Sequence, residues 1–243
     1  MARETSGIYM RMGMYVLTIA LHVSNIAYMA TAAAGSFEAA DDPYIKVYAS
    51  LQTRFFTCWT FFLQIVYAVI ALTCDSLLLK NSSKKNYKLP KYLYVFREGL
   101  FSSVIWPSIW VVFLVFWVLY HYNRDLIYPS FVDKILTSFS NHIMHTFIIP
   151  IATWDLLFRP RRVPKSHLPN LLYLAFHFGL YLAVLLYTYA ETGIWIYPIF
   201  KSLYGTVYFI VALGIIFSIA LGAYFIQWPI TRTFFPDTRK KVK

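Results

Sequence analysis

The sequence predicts an all-α fold: one polytopic bundle of six transmembrane helices, with both termini in the cytosol. Of the 243 residues, 59% are hydrophobic and only 14% are charged, whereas about a quarter of the residues in a soluble domain are charged. The apolar residues form long continuous runs, without the period-two alternation that barrel strands require. Basic residues concentrate in alternate connections between these runs. These observations argue against a soluble domain and against a membrane β-barrel.

Six apolar segments are long enough to cross a membrane, because about 20 helical residues span a hydrocarbon core of ~30 Å. Most prolines fall in the connections between them, where a missing N–H group is harmless. The segments lie at about 8–30, 56–79, 99–120, 139–158, 168–190 and 204–228.

The first three segments each carry polar residues or a proline that must be reconciled with a membrane helix. In the first, His22 and Asn25 interrupt the apolar run, so we expect a retained helix and not a cleaved signal peptide. In the second, polar residues from Thr57 to Asp75 recur near whole helical turns, which predicts an inward-facing polar side. In the third, Pro107 predicts a kink, which membrane helices tolerate when neighbouring groups bond the freed carbonyl.

The last three segments follow the same pattern. Pro150 predicts a kink within the fourth. The fifth is a continuous apolar run between connections that contain proline. The sixth has small residues at four-residue spacing, which predicts close packing against another helix, at Gly214, Ser218 and Gly222.

The distribution of basic residues predicts the topology. Lys and Arg in short loops favour the cytosolic side, and 17 of the 22 basic residues lie in the N terminus, the connections 80–98 and 159–167, and the C-terminal tail. This arrangement accounts for the net charge of +11 without a nucleic-acid partner. Lys240 and Lys241 look like a dilysine signal, which would hold a multi-pass protein in the endoplasmic reticulum. Contact of a basic tail with anionic lipid, as at the plasma membrane, is the alternative.

A candidate site combines segments two and four. Both segments enter from the non-cytosolic side, so Thr57 and His145 are expected at similar depth on inward-facing sides. A threonine hydroxyl is a weak nucleophile that needs a neighbouring base, and a neutral histidine is the usual one. Asn141, His142 or a backbone carbonyl could orient the histidine ring, and Thr60 is a rival nucleophile one turn further on. The sequence identifies no oxyanion hole.

Three short segments resemble one known family in both order and spacing. Asn141–Thr146 matches the pattern Asn-His-x-Met-His-Thr, Asn123–Pro129 is similar to Asp-Arg-Glu-x-Ile-Tyr-Pro, and Thr192–Pro198 is similar to Thr-Gly-x-Trp-x-Tyr-Pro. These segments resemble the androgen-induced and androgen-dependent TFPI-regulating membrane hydrolases, and the matches spread over most of the chain.

The resemblance implies an intramembrane hydrolase that cleaves fatty acid esters of hydroxy fatty acids. The family's nucleophile and base, carried over to this chain, are Thr57 and His145. Around the threonine the family's Leu-Thr-Phe is replaced by Phe-Thr-Cys, so Thr60 remains a rival. Arg124, on the loop that enters segment four, is expected to hold the free carboxylate of the substrate. Anchoring of the loop to lipid phosphates or to Asp125 is the alternative.

Two other functions remain open. One is a di-haem electron carrier, because three segments carry histidines that could ligate haem iron. The other is a non-catalytic transporter or scaffold, although no inverted repeat supports transport. For the hydrolase we expect no cofactor and no metal, with a membrane lipid as substrate and an undetermined oligomeric state. The histidines of the haem hypothesis are His22, His142, His145 and His177.

Overall fold

The computed structural model describes residues 2–35, 42–84 and 87–236, and these residues contain helices and connections but no strand. The all-α prediction is therefore confirmed for this part of the chain, while Lys240 and Lys241 lie outside it. Five of the described helices are long and apolar enough to cross a membrane by length and composition. They correspond to predicted segments one, two, three, five and six, and span Ser6–Ala32, Phe56–Lys80, Lys91–Leu126, Leu168–Thr192 and Val207–Phe234.

We number the α-helices in chain order. The longer ones are α1 (Ala2–Gly35), α3 (Phe56–Lys80), α5 (Trp106–Asn123), α8 (Leu168–Thr192) and α10 (Val207–Phe234). The shorter ones are α2 (Pro43–Ser50), α4 (Lys91–Gly99), α6 (Ser138–His145), α7 (Ile148–Phe158) and α9 (Ile199–Leu203).

The fourth predicted segment, 139–158, is not one continuous helix but is interrupted just before Pro150, where the sequence predicts a kink. It consists of α6 and α7, which are separated by Thr146 and Phe147. The cause is Pro150, which has no N–H and whose ring clashes with the carbonyl four residues earlier, that of Thr146. The chain compensates with irregular bonds: the N–H of Phe147 reaches the carbonyl of His142 at 2.9 Å, five residues back. The α6 helix consequently ends at His145.

The third segment is also irregular, as Pro107 predicts. Between α4 and α5 lies a π-helical turn, Leu100–Ile105. Pro107 cannot donate to the carbonyl of Ser103, so the helix is irregular in the turn before it. The N–H of Trp106 bonds the carbonyl of Phe101, again five residues back. The whole stretch nevertheless remains helical from Lys91 to Leu126.

A buried ionic network closes the end of the bundle at which α3 ends. Asp155 of α7 accepts hydrogen bonds from the hydroxyls of Tyr15 at 2.5 Å and Tyr67 at 2.7 Å, and from Arg159 at 2.8 Å. Arg11 of α1 pairs with Asp75 of α3 at 2.7 Å. Because buried charges are tolerated only when they are paired, these contacts hold α1, α3 and α7 in one register.

The small residues of α10 do not pack as the sequence predicts. Gly214, Ser218 and Gly222 are all exposed, and a Cβ atom added at either glycine would meet nothing within 4 Å. The packed side of α10 instead carries Ala220 and Tyr224, both fully buried. The four-residue spacing therefore marks the outer side of the helix, away from the other helices of this chain.

Candidate active site

A large apolar cavity lies among α3, α5, α8 and α10. Its volume is about 770 Å³, and nearly all the side chains that line it are aliphatic or aromatic. Two lining residues, Val118 of α5 and Ile215 of α10, are 64% and 56% exposed. The cavity therefore reaches the outer surface of the bundle between these helices. Thr57 and His145 are among its few polar lining residues.

Thr57 is the second residue of α3 and lies at its N-terminal end. Phe55, the residue that precedes the first residue of α3, has an extended backbone and provides no side-chain cap. The first turn of a helix carries unpaired N–H groups and the positive end of the helix dipole. This position favours negative charge near the Thr57 oxygen.

His145 faces Thr57 across the cavity wall. The Thr57 Oγ1 atom lies 3.5 Å from His145 Nε2, which is long for a hydrogen bond. Catalytic hydrogen bonds are often this long without substrate and shorten when it binds. The His145 ring is also stacked on Phe116, with centroids 3.5 Å apart and planes within 10°. Phe116 therefore fixes the plane of the ring.

Asn141 fixes the tautomer of His145. The His145 Nδ1 atom lies 2.8 Å from Asn141 Oδ1 and 3.1 Å from the main-chain oxygen of Asn141. A main-chain carbonyl oxygen only accepts hydrogen bonds, so Nδ1 must carry the proton. With Oδ1 facing Nδ1, the Asn141 amide accepts from the same N–H. The lone pair of Nε2 is consequently directed at the Thr57 hydroxyl, as a general base requires.

The other residues expected at the site lie further from the cavity. Thr60 is 1% exposed, its hydroxyl has no partner among the described residues, and it does not line the cavity. His142 is exposed, bonds Thr146 through Nδ1 at 2.9 Å, and stacks on Trp117. The structure thus separates the two threonines and the two histidines by position.

Arg124 lies beside the cavity and does not line it. Its Nη2 donates to Asp133 at 2.7 Å, and its Nε donates to the carbonyl of Tyr128 at 3.3 Å. The guanidinium also lies over the ring of Tyr128, 5.0 Å from the centroid. Tyr128 does line the cavity. Asp133, and not Asp125, is therefore the acidic partner of Arg124.

The four histidines of the haem hypothesis have separate protein partners. His22 lies 3.0 Å from Gln64 Oε1, and His177 lies 3.2 Å from the hydroxyl of Ser108. His142 and His145 bond Thr146 and Asn141, as described above. Among the described residues no group of three or more His, Cys, Asp or Glu side chains could hold a metal ion.

Two tyrosines near Thr57 were missed by the sequence reasoning. Tyr181 of α8 and Tyr197 both line the cavity, and both hydroxyls accept a hydrogen bond from the N–H of Phe56. Tyr181 carries no sequence signal, because tyrosines are frequent throughout the chain. Tyr197 belongs to the segment Thr192–Pro198, whose family resemblance implies no role for the tyrosine.

Comparison with known proteins gives a consistent result. The family model described as FAR-17a/AIG1-like protein matches residues 14–228. The androgen-dependent TFPI-regulating protein of Homo sapiens is 37% identical over 169 residues, which cover 69% of this chain and 71% of that protein. The protein of the same name from Mus musculus is 35% identical, with coverage of 63% and 64%. The androgen-induced gene 1 protein of Homo sapiens is 25% identical, with coverage of 69% and 71%. No solved structure gives a significant match.

Proposed function

The chain belongs to the FAR-17a/AIG1-like family of membrane proteins, and from this premise we propose that it is an intramembrane hydrolase of fatty acid esters of hydroxy fatty acids. The observation that carries the proposal is the pair formed by Thr57 and His145 on the wall of an apolar cavity. The fixed tautomer of His145 supports the role of base. The cavity volume of about 770 Å³ lies within the ~300–1,000 Å³ that small-molecule sites span.

The proposed reaction has two steps. In the first, Nε2 of His145 takes the proton of Thr57, and Oγ1 attacks the ester carbonyl carbon. The tetrahedral intermediate collapses as the ester C–O bond breaks, and His145 returns the proton to the departing hydroxy fatty acid. In the second, His145 takes a proton from water, which attacks the acyl-threonine. The fatty acid leaves, and the proton returns to Thr57.

The cavity also supports the substrate class. Its apolar walls suit acyl chains, and its opening beside Val118 and Ile215 lets a lipid enter from the bilayer. We propose that Arg124 holds the free carboxylate at the rim. Its Nε and one N–H of Nη2 already donate to Tyr128 and Asp133, so the contact falls to the remaining N–H groups of Nη1 and Nη2.

The membrane placement follows the charge distribution. We propose six crossings, with α6 and α7 together forming the fourth and both termini in the cytosol. In this topology Thr57 lies near the non-cytosolic surface, and Lys240 and Lys241 are accessible to the cytosolic machinery that retains proteins in the endoplasmic reticulum. The plasma membrane is the alternative location.

Active-site labelling of purified variants tests the proposal. The wild-type protein is treated with a fluorophosphonate probe, and the labelled residue is identified by mass spectrometry, with ester turnover measured in parallel. We expect label on Thr57 and almost complete loss of turnover in Thr57→Ala and His145→Ala, because a nucleophile and its base act as a unit. Thr60→Ala is the matched control and should keep both the label on Thr57 and the ester turnover.

Two results would contradict Thr57 as the nucleophile, and a third would contradict the hydrolase. Label on Thr60 would identify Thr60 as the nucleophile. Full turnover by Thr57→Ala would show that the reaction does not pass through an acyl-threonine at Thr57. If the purified wild-type protein binds the ester but neither hydrolyses it nor takes the label, the non-catalytic transporter or scaffold becomes the better interpretation.

A further inference from the structure

The segment Thr192–Pro198 is held against the start of α3 by a sharp turn and a stacked ring. The α8 helix ends at Thr192 and is followed by Gly193, whose φ of 70° lies in the left-handed region that glycine adopts without strain. The chain then reverses, and Trp195 stacks on Tyr189 with centroids 4.2 Å apart and planes within 12°. This contact brings Tyr197 to the N-terminal end of α3, beside Thr57.

The hydroxyl of Tyr197 is hydrogen-bonded to the first turn of α3. It accepts the N–H of Phe56 at 2.9 Å. The hydroxyl of Tyr181 lies 3.2 Å from it and accepts the same N–H at 3.0 Å. Phe56 directly precedes Thr57, so the two phenols lie at the cavity wall next to the proposed nucleophile.

The acceptors around the two hydroxyls determine which phenol can donate a hydrogen bond into the cavity. The Tyr181 hydroxyl has two acceptors within reach, the carbonyl of Arg54 and the oxygen of Tyr197, each at 3.2 Å. If it donates to Tyr197, the Tyr197 oxygen accepts two bonds and its own proton must point elsewhere. If it donates to Arg54, the Tyr197 proton can turn from Tyr181 to the cavity. In both cases the Tyr197 proton is available to a ligand.

The Tyr197 hydroxyl also retains its proton at neutral pH. Burial raises the pKa of Tyr197 to about 12, although the hydrogen bonds from Tyr181 and from the N–H of Phe56 oppose the shift. A neutral phenol that accepts a main-chain N–H is polarised, and this strengthens the hydrogen bond it donates.

We propose that Tyr197 is a catalytic residue that donates its hydroxyl hydrogen bond to the carbonyl oxygen of the ester, and so forms the oxyanion hole of the reaction. As Thr57 attacks, the π electron pair of the carbonyl moves onto its oxygen, and Tyr197 stabilises that negative charge without giving up its proton. The charge passes back into the carbonyl when the C–O bond breaks. This inference rests on the proposed hydrolase and adds the group that stabilises the transition state.

Paired phenylalanine substitutions test the inference. Tyr197→Phe removes the proposed donor, and Tyr181→Phe removes a phenol with the same main-chain partner. In either variant the N–H of Phe56 keeps one acceptor, so any capping effect is matched. We expect Tyr197→Phe to lower kcat by roughly 10²- to 10³-fold, the usual effect of losing one oxyanion donor, with KM nearly unchanged. Tyr181→Phe should lower kcat much less than Tyr197→Phe does, because it removes the matched phenol and leaves the proposed donor in place.

The outcomes separate this inference from the proposed function. Equal losses in both variants would show that the phenols cap α3, and full activity of Tyr197→Phe would show that it is not the donor; either result overturns the inference. If Thr57→Ala still abolishes turnover, the hydrolase stands in both cases. If Thr57→Ala is active, the proposed function itself fails.

An infrared measurement covers the case in which Tyr197→Phe does not fold. The inactive Thr57→Ala variant is loaded with an ester carrying a ¹³C-labelled carbonyl, and the carbonyl stretch is compared with that of the same ester in hydrocarbon solvent. A hydrogen bond from Tyr197 should lower the stretching frequency. A frequency equal to that in hydrocarbon would overturn the inference.

Discussion

Replacing Asn141 by alanine tests how much each of two hydrogen-bond acceptors contributes to the orientation of the His145 ring. Asn141 Oδ1 and the main-chain oxygen of the same residue both face Nδ1, at 2.8 and 3.1 Å. Asn141→Ala deletes the first acceptor and leaves the second in place. The proton should therefore stay on Nδ1, and Nε2 should remain the base.

The expected loss of activity is small because only one hydrogen bond disappears. A net hydrogen bond is worth about 0.5–1.5 kcal/mol, which corresponds to a roughly two- to thirteenfold decrease in kcat. In a Ser–His–Asp triad, a change that imposes the wrong tautomer costs about 10⁴-fold. The decrease in kcat expected when one hydrogen bond is lost is therefore about three orders of magnitude smaller than the decrease expected when the tautomer changes.

The assay is kcat and KM for a fatty acid ester of a hydroxy fatty acid, with the protein in lipid nanodiscs. Ser140→Ala is the matched control, since Ser140 is equally buried on α6 but donates to Asn25 at 2.5 Å and does not contact His145. A decrease in kcat above about 10³-fold for Asn141→Ala, with Ser140→Ala unaffected, would refute the argument that the main-chain carbonyl holds the tautomer.

Two further predictions concern entry of the substrate and stability. Val118→Trp should narrow the opening of the cavity and lower kcat/KM for long-chain esters by an amount corresponding to about 1–3 kcal/mol. Tyr122→Trp, at an exposed position on the same helix outside the cavity, should leave kcat/KM unchanged. Equal effects of the two substitutions would place the entrance elsewhere. Asp155→Asn should destabilise the bundle by up to about 3–5 kcal/mol, because it removes one of the two carboxylates that pair with the buried guanidinium of Arg159, the other being that of Glu98. Thermal unfolding in detergent measures this loss against the exposed Asp125→Asn, and equal melting temperatures would contradict it.

The long helices could be predicted from composition, because an uninterrupted apolar run has few alternatives to a membrane helix. The observed bounds of the second and fifth segments differ from the predicted ones by one or two residues at the C-terminal end only. The break between α6 and α7 could not be predicted in the same way. It depends on whether neighbouring groups bond the carbonyls that Pro150 leaves free, and those neighbours are set by tertiary packing.

The depth of the two candidate residues in the membrane could be predicted from the sequence, but the rotation of α3 about its axis could not. Helix ends and topology put Thr57 and His145 at the same level, and the structure places them 3.5 Å apart. Thr57 and Thr60 are one turn apart on the same side of α3, and a small rotation of the helix decides which of them faces the cavity. The contact between Asn141 and His145 depends on a side-chain torsion, and the position of Tyr197 depends on the turn at Gly193. Neither can be inferred from spacing alone.

The ends of two helices favour the same separation of charge at the site. In the proposed mechanism His145 takes the proton of Thr57, so negative charge would develop at the second residue of α3 and positive charge at the last residue of α6. An anion is stabilised at a helix N-terminus and a cation at a helix C-terminus, each by about 0.3–1 kcal/mol at exposed positions and more where water is excluded. Because α6 ends at His145 through the break that Pro150 imposes downstream, the irregular helix would support the proposed chemistry. A continuous fourth helix would place His145 in a helix interior, where it would lose this stabilisation.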